Sequence, residues 1–434
     1  MSSPSNNTPI ECPDEVGAES ILGKPVRRST VRKIDAIVTH RWLGIPVFFA
    51  VIYVIFSLTF RMGEIPMRAI EGLVAAAGSS VAKVWPAGAW GWGRSLVVDG
   101  IIDGVGGVLV FLPTIVFLFL GIAILEESGY MARATFVMDR FMRRIGLAGT
   151  SFLPMILGFG CSVPAIMATR MLKSDRDRIA TMMVIPLMSC GSRLAIYSLI
   201  IPAFFPPSLR APVLWVVYLS GVFLAIAIAK LLRSTVLKGE AHPVQSPFPP
   251  YRLPSLATIG RYMWMRAWLF LRKAGTIILA ASIVMWALSS YPRLPSENAR
   301  GAEPSEALEY SVAGRIGHAL EPAIKPLGFD WRIGTSLVAA LAAKEVFISE
   351  MAIVFSLGDG DGDSLRAKLR EAYSPLTALC VMLFLLIATP CLGTVAIVRR
   401  ESGRWRYAVL QFAGLTALAY VVTLLVYQVG SRIL

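Results

Sequence analysis

The stretch Ile156–Arg170, ILGFGCSVPAIMATR, is an apolar segment interrupted by Gly158, Gly160, Cys161, Ser162 and Pro164. A helix broken there frees backbone amides and carbonyls. At membrane depth such groups are tolerated only where they line a protein cavity or a water-filled path, because hydrocarbon offers them no partner. The device recurs at Pro186–Arg193, PLMSCGSR, inside a second long apolar segment. Two broken helices, each with a thiol at the break, point to an all-α fold built around a solute or ion path.

That path lies in a polytopic integral membrane protein. The chain is 55% hydrophobic and only 16% charged, against about 25% charged in soluble domains. Its net charge of +14 comes from arginines in short loops beside apolar segments, the pattern of cytoplasmic loops facing anionic lipid. No basic run is interleaved with exposed aromatics, so nucleic acid is not an expected partner and the lipid bilayer is. Of the five cysteines, Cys161, Cys190, Cys380 and Cys391 lie in apolar segments without CxxC spacing, which argues against a disulfide framework. The first 40 residues are polar, include Cys12, and have no apolar signal-peptide core. They read as a cytosolic tail with a basic anchor.

Segments of about 20 apolar residues cross a bilayer. Candidates are Trp42–Phe60, Val105–Leu125, Ile179–Phe204, Pro212–Leu232, Gly275–Ser290, Leu376–Val398 and Tyr407–Tyr427, with Phe152–Thr169 and Gly334–Phe355 as apolar segments carrying polar breaks. Arginines and a lysine flank Phe152–Thr169 on both sides, which makes it a re-entrant hairpin from the cytoplasm. Parity with the basic clusters at 266–273 and 399–406 makes Gly334–Phe355 a hairpin from the outside. The halves also match locally. Arg144-Ile145-Gly146-Leu147 parallels Pro326-Leu327-Gly328-Phe329, and the run from Cys190 to Ile196 parallels that from Cys391 to Ile397. These features predict two inverted repeats meeting at a central site. The domain reading is a tail at 1–40, a first membrane half at 41–240, a cytosolic linker at 241–265 and a second half at 266–434.

Three cysteines sit at expected helix breaks: Cys161, Cys190 and Cys391. With Glu345 they form the candidate metal ligands, since thiolates suit iron(II), zinc and copper(I) while a carboxylate adds charge. A lone membrane cysteine is otherwise a small buried hydrophobe, which is the reading for Cys380. Lys344 and Glu345 are ionisable residues in mid-segment and are functional by default. Arg193 is open to two readings, neutralising a thiolate or carboxylate across the repeats, or a structural ion pair. Further path candidates are Ser162 and Ser189 at the breaks, Glu126 and Glu127 at one end of the second span, and Asp99 and Asp103 at the other. Met167, Met171, Met182, Met183 and Met188 read as packing. Gly17 to Gly23-Lys24 has the wrong spacing for a phosphate loop, and the acidic run from Asp359 lacks the sixth-position glycine and twelfth-position glutamate of a calcium loop. No resident cofactor and no catalysis are expected of this chain.

Several of these segments together resemble the membrane domain of the ferrous iron transport protein B family. They are Ile34-Asp35-Ala36 with His40–Pro46, Gly104–Pro113, Leu125–Arg133, Gly158–Arg170, Ser189–Leu194, Ala343–Val346 and Arg399–Gly403. The broken regions look like that family's paired Gate regions, which are related to nucleoside-recognition membrane proteins. The resemblance implies uptake of ferrous iron (Fe2+ as the transported ion) across a bacterial inner membrane, with the N-terminus cytoplasmic. Family members usually begin with a cytosolic G-protein domain that these residues do not contain, which implies either a separate GTPase partner or a copy that works without one. A homo-oligomer is a further expectation. Ala195 and Thr114 depart from the family pattern, where proline and glutamine are common, and both bear on ion selectivity. The alternatives are a transporter of another divalent metal or of a nucleoside-like solute, and a non-transporting subunit of a full-length transporter.

Overall fold

The computed structural model describes residues 35–40, 43–85, 91–237, 276–293, 304–342, 344, 346–355, 362–388 and 391–433, with a few isolated positions between 260 and 268. The described residues form helices joined by turns, with no strand among them, as expected of a chain whose backbone groups must be satisfied within lipid. Among the described residues five helical segments are long and apolar enough to cross a membrane: 44–84, 175–204, 207–234, 375–402 and 405–433. The linker 241–265, the first 34 residues and Glu345 lie outside the described residues, as do the side chains of Asp99 and Asp103.

One expected span needs correction. The segment Trp42–Phe60 does not end near Phe60; helix α1 runs from Gly44 to Val84, 41 residues. At 1.5 Å per residue that is about 60 Å, twice the hydrocarbon thickness. The cause is a partner of matching length. A π-helical stretch, Leu96–Ile102, leads into α2, Asp103–Glu127, and together they run back along α1. Gly121 faces Ile55, Gly63 faces Thr114 and Gly106 faces Val74, so the pairing is antiparallel, with a glycine at each close approach. Small residues of this kind let membrane helices approach where no hydrophobic force drives them together. Thr114 therefore faces α1.

At Gly129, which takes a φ of 78°, the chain bends by 85° into the amphipathic helix α3, Tyr130–Arg144. Arg133, 2% exposed, anchors this helix by donating to the Gly129 carbonyl at 2.8 Å and pairing with Asp35 at 2.7 Å. The first hairpin follows, with legs α4, Phe152–Gly158, and α5, Ser162–Ala168. Its opening turn, Gly149–Ser151, and its closing turn, Thr169–Met171, both rest on α6, Asp175–Val184. Both legs also touch the 3-10 turn Ile185–Leu187 that follows α6. The segment enters and leaves on one side. Helix α7, Gly191–Phe204, completes the first broken span, and α8, Pro207–Ser234, returns.

The second half also places a hairpin before a broken span and a long closing helix. Helix α9, Thr276–Ser290, and α10, Val312–Ile324, lead to a hairpin of α11, Trp331–Ala342, and α12, Val346–Val354. Arg332 at its start lies over the Phe355 ring at its end, 5.4 Å from the centroid, so this segment also returns to its own side. Helix α13, Gly362–Ala372, precedes a broken span made of α14, Pro375–Ile387, and α15, Leu392–Ser402, and α16, Trp405–Ile433, closes the chain. The matched glycines Gly146 and Gly328 take φ of 83° and 78° before their hairpins. Each ends a helical turn with the amide of the next residue bonded back, Leu147 to Met142 and Phe329 to Ile324.

The mouths of the two hairpins lie at opposite ends of the span 375–402. Its start is tied to the second mouth by Tyr373, whose hydroxyl donates to both Asp330 oxygens at 2.9 and 3.0 Å. Burial, then the Asp330 carboxylate, push the Tyr373 phenol up, so it donates rather than ionises. The far end of the span is tied to the first mouth, where Arg170 meets Glu401.

Candidate functional site

Each of the three expected thiols is the N-cap of a helix that resumes after a break. Cys161 precedes α5 with φ −155° and ψ 130°, Cys190 precedes α7 with φ −77° and ψ 168°, and Cys391 precedes α15 with φ −54° and ψ 155°. The local cause is the sequence: Gly160 and Pro390 directly precede Cys161 and Cys391, Pro186 lies four residues before Cys190, and the extended cysteine restarts the chain. The first-turn amides of α7 and α15 then point at the break, where they favour electron-rich groups.

Tertiary contacts bring the breaks together. The Gly191 amide donates to the Gly160 carbonyl at 3.2 Å, joining the hairpin break to that of the first span. Val163 in the first turn of α5 faces Gly393 in the first turn of α15, so the break of the second span adjoins as well. Lys344, 6% exposed in the break of the second hairpin, is close enough to Arg193, Cys391 and Cys190 for their charges to interact. Four interrupted helices thus share one neighbourhood. Cys161, Cys190 and Cys391 are partly exposed there, whereas Cys380 is buried in the unbroken α14.

Arg193 has a role that neither sequence reading named. It is 2% exposed, and its Nη1 donates to the carbonyls of Pro186 at 2.6 Å and Met188 at 3.1 Å. These are carbonyls freed where the 3-10 turn ends, so the guanidinium caps the interrupted helix, and among the described residues it forms no salt bridge. Its Nε, the Ser189 Oγ and the Tyr197 hydroxyl are buried without a hydrogen-bond partner among the described residues. Tyr197 and Tyr218 bring their rings to 6.2 Å beside Ser189. These two tyrosines escaped the sequence reading, although a phenol in a lipid-spanning segment is itself a polar signal. Cys391 Sγ lies 3.3 Å from Thr394 Oγ1. Ser162 is buried in the first turn of α5.

Among the described residues no three His, Cys, Asp or Glu side chains are grouped to hold a metal ion. Glu345, adjacent to Lys344, is outside that set. Glu126 is exposed and Glu127 half-buried at the bend that ends α2, away from the four breaks. His318 stacks on Trp331 at 4.7 Å near the second mouth.

The family model described as nucleoside recognition, the Gate region, matches residues 108–204 and 271–405, and that for the ferrous iron transport protein B C terminus matches 214–266. The chain is 42% identical to an Fe(2+) transport protein A/Fe(2+) transporter FeoB fusion protein of Porphyromonas gingivalis, over 92% of this chain and 51% of that protein. It is 38% identical to the Fe(2+) transporter FeoB of Campylobacter jejuni, over 97% of this chain and 69% of the relative. A Staphylococcus aureus protein of the same name is 38% identical over 92% and 59%. The chain thus spans between half and about two thirds of the length of these relatives. No solved structure matches it.

Proposed function

The chain belongs to the ferrous iron transport protein B family, and from that premise we propose that it is the membrane permease for uptake of ferrous iron across a bacterial inner membrane. The observation that carries this reading is the convergence of four helix breaks, three of them with a cysteine as N-cap, inside a bundle of membrane-crossing length. Cys161, Cys190 and Cys391 are soft donors met in succession along the path rather than one ligand shell, and Glu345, next to Lys344 in sequence, is the candidate carboxylate. The chain as a whole is two inverted repeats, supported by opposite hairpin mouths and by the paired glycines Gly146 and Gly328. The mouth at Arg170 and Glu401 faces the cytoplasm, because the arginines of both halves collect there. No phosphate-loop sequence occurs in the 434 residues, so any GTPase that energises uptake lies outside them, as a further domain or as a separate cytosolic partner.

Serine in place of a ligating cysteine keeps the size and loses the soft donor. In proteoliposomes, Cys161→Ser, Cys190→Ser and Cys391→Ser should each lower iron(II) uptake by about tenfold or more, with Cys380→Ser at the wild-type rate. Wild-type uptake in all four would remove the thiols from the path. A nucleoside-like solute is the second reading, favoured by the hydroxyls of Ser189, Tyr197 and Tyr218 at the same breaks. It predicts uptake of labelled nucleoside that excess iron(II) does not inhibit.

A further inference from the structure

The three segments that carry the thiols are joined a second time, at the other end of their helices, through one carboxylate. Glu401 in the last turn of α15 is 2% exposed at its side chain. Arg170, in the turn that closes the first hairpin, donates to it from Nε at 2.7 Å and from Nη2 at 2.6 Å, one bond to each oxygen. Arg178, in α6 of the first broken span, donates from Nη2 to the same carboxylate at 3.0 Å and to the Glu401 carbonyl at 2.8 Å. Upstream along these same elements lies Cys161, before α5, and Cys391, before α15; Cys190 follows α6.

We propose, taking solute to pass the thiol breaks, that Glu401 is a positioning residue that latches this mouth shut, and that release of solute here requires Arg170 to leave it while Arg178 stays. The latch has a fixed side and a releasable side. Helix α6 is held to the rest of the bundle by contacts that do not involve Glu401: Asp177 with Arg233 at 3.3 Å, and Gln411 Nε2 to the Met182 carbonyl at 2.7 Å. The hairpin's closing turn is different, since the side chain of Arg170 is 55% exposed. Its guanidinium can rehydrate on leaving, whereas the buried carboxylate cannot, so the arginine is the part that moves. Hydrogen bonding to Glu401 pushes Arg170 further up from its ordinary value, so it remains a cation throughout. The glycine after the helix, Gly403 at φ 70°, ends α15 just beyond the carboxylate, where a change of angle is least restricted.

Accessibility of the native cysteines tests this without reference to iron. In a Cys12→Ser background, sealed vesicles of each orientation are treated with a membrane-impermeant maleimide, and labelling of each cysteine is followed by mass spectrometry. Glu401→Gln should raise the labelling rates of Cys161, Cys190 and Cys391 by about tenfold from the face bearing residues 170–178, and leave Cys380 unlabelled. Glu401→Asp, which keeps the charge, should restore most of the protection. Unchanged rates at all three path cysteines would overturn the latch. A parallel rise at Cys380 would equally overturn it, by showing general loosening of the bundle. If the serine variants transport iron normally while Glu401→Gln still unmasks the three thiols, the iron assignment fails and the latch stands.

Discussion

Among single residues, Arg193 most clearly separates structure from transport. Its two bonds satisfy the Pro186 and Met188 carbonyls, which the interrupted helix would otherwise leave unpaired in a buried setting. An unsatisfied buried acceptor costs about 1–3 kcal/mol. Arg193→Met keeps the apolar stem and removes both donors, so it should destabilise the fold by about 2–4 kcal/mol. A fall in the thermal unfolding midpoint in detergent reads this directly. An unchanged midpoint combined with lost uptake would mean that Arg193 serves the solute and not the break. The thiols are the converse case: Cys161, Cys190 and Cys391 are partly exposed N-caps, and serine at these positions leaves the backbone path intact.

At the scale of elements, the two hairpins carry the topology. Each has its two ends together, at α6 for the first and at Arg332 with Phe355 for the second, and the mouths are separated by the length of the span 375–402. Single cysteines at Thr150 and Ser174 should therefore be blocked by impermeant reagent from one face of the membrane, and those at Arg332 and Phe355 from the other. Labelling of Thr150 and Ser174 from different faces would turn the first hairpin into a span and remove the inverted arrangement. The glycines between α1 and α2 act at the same scale. They let two long helices run side by side, with α1 mostly exposed and α2 on its bundle side.

For the whole molecule, the prediction concerns energy input. The absence of a phosphate loop from the 434 residues predicts that the purified chain binds no guanine nucleotide, and calorimetry showing micromolar affinity would refute this. Uptake stimulated by an added GTPase would point to a split system. What the sequence by itself determined is the class of molecule. Apolar lengths give the spans, glycine and proline beside a cysteine mark the breaks, and arginine bias gives the hairpins, because each is a local property of composition along the chain. The end of α1 escaped that reading: residues 61–84 are moderately polar, and only pairing with α2 and the stretch before it explains their helix. Tertiary structure alone decided which breaks meet and that Glu401 gathers Arg170 and Arg178 from 231 and 223 residues away. Those contacts join positions far apart in sequence. Nothing in local spacing encodes them, because they depend on how helices of similar apolarity choose among one another once they are in lipid.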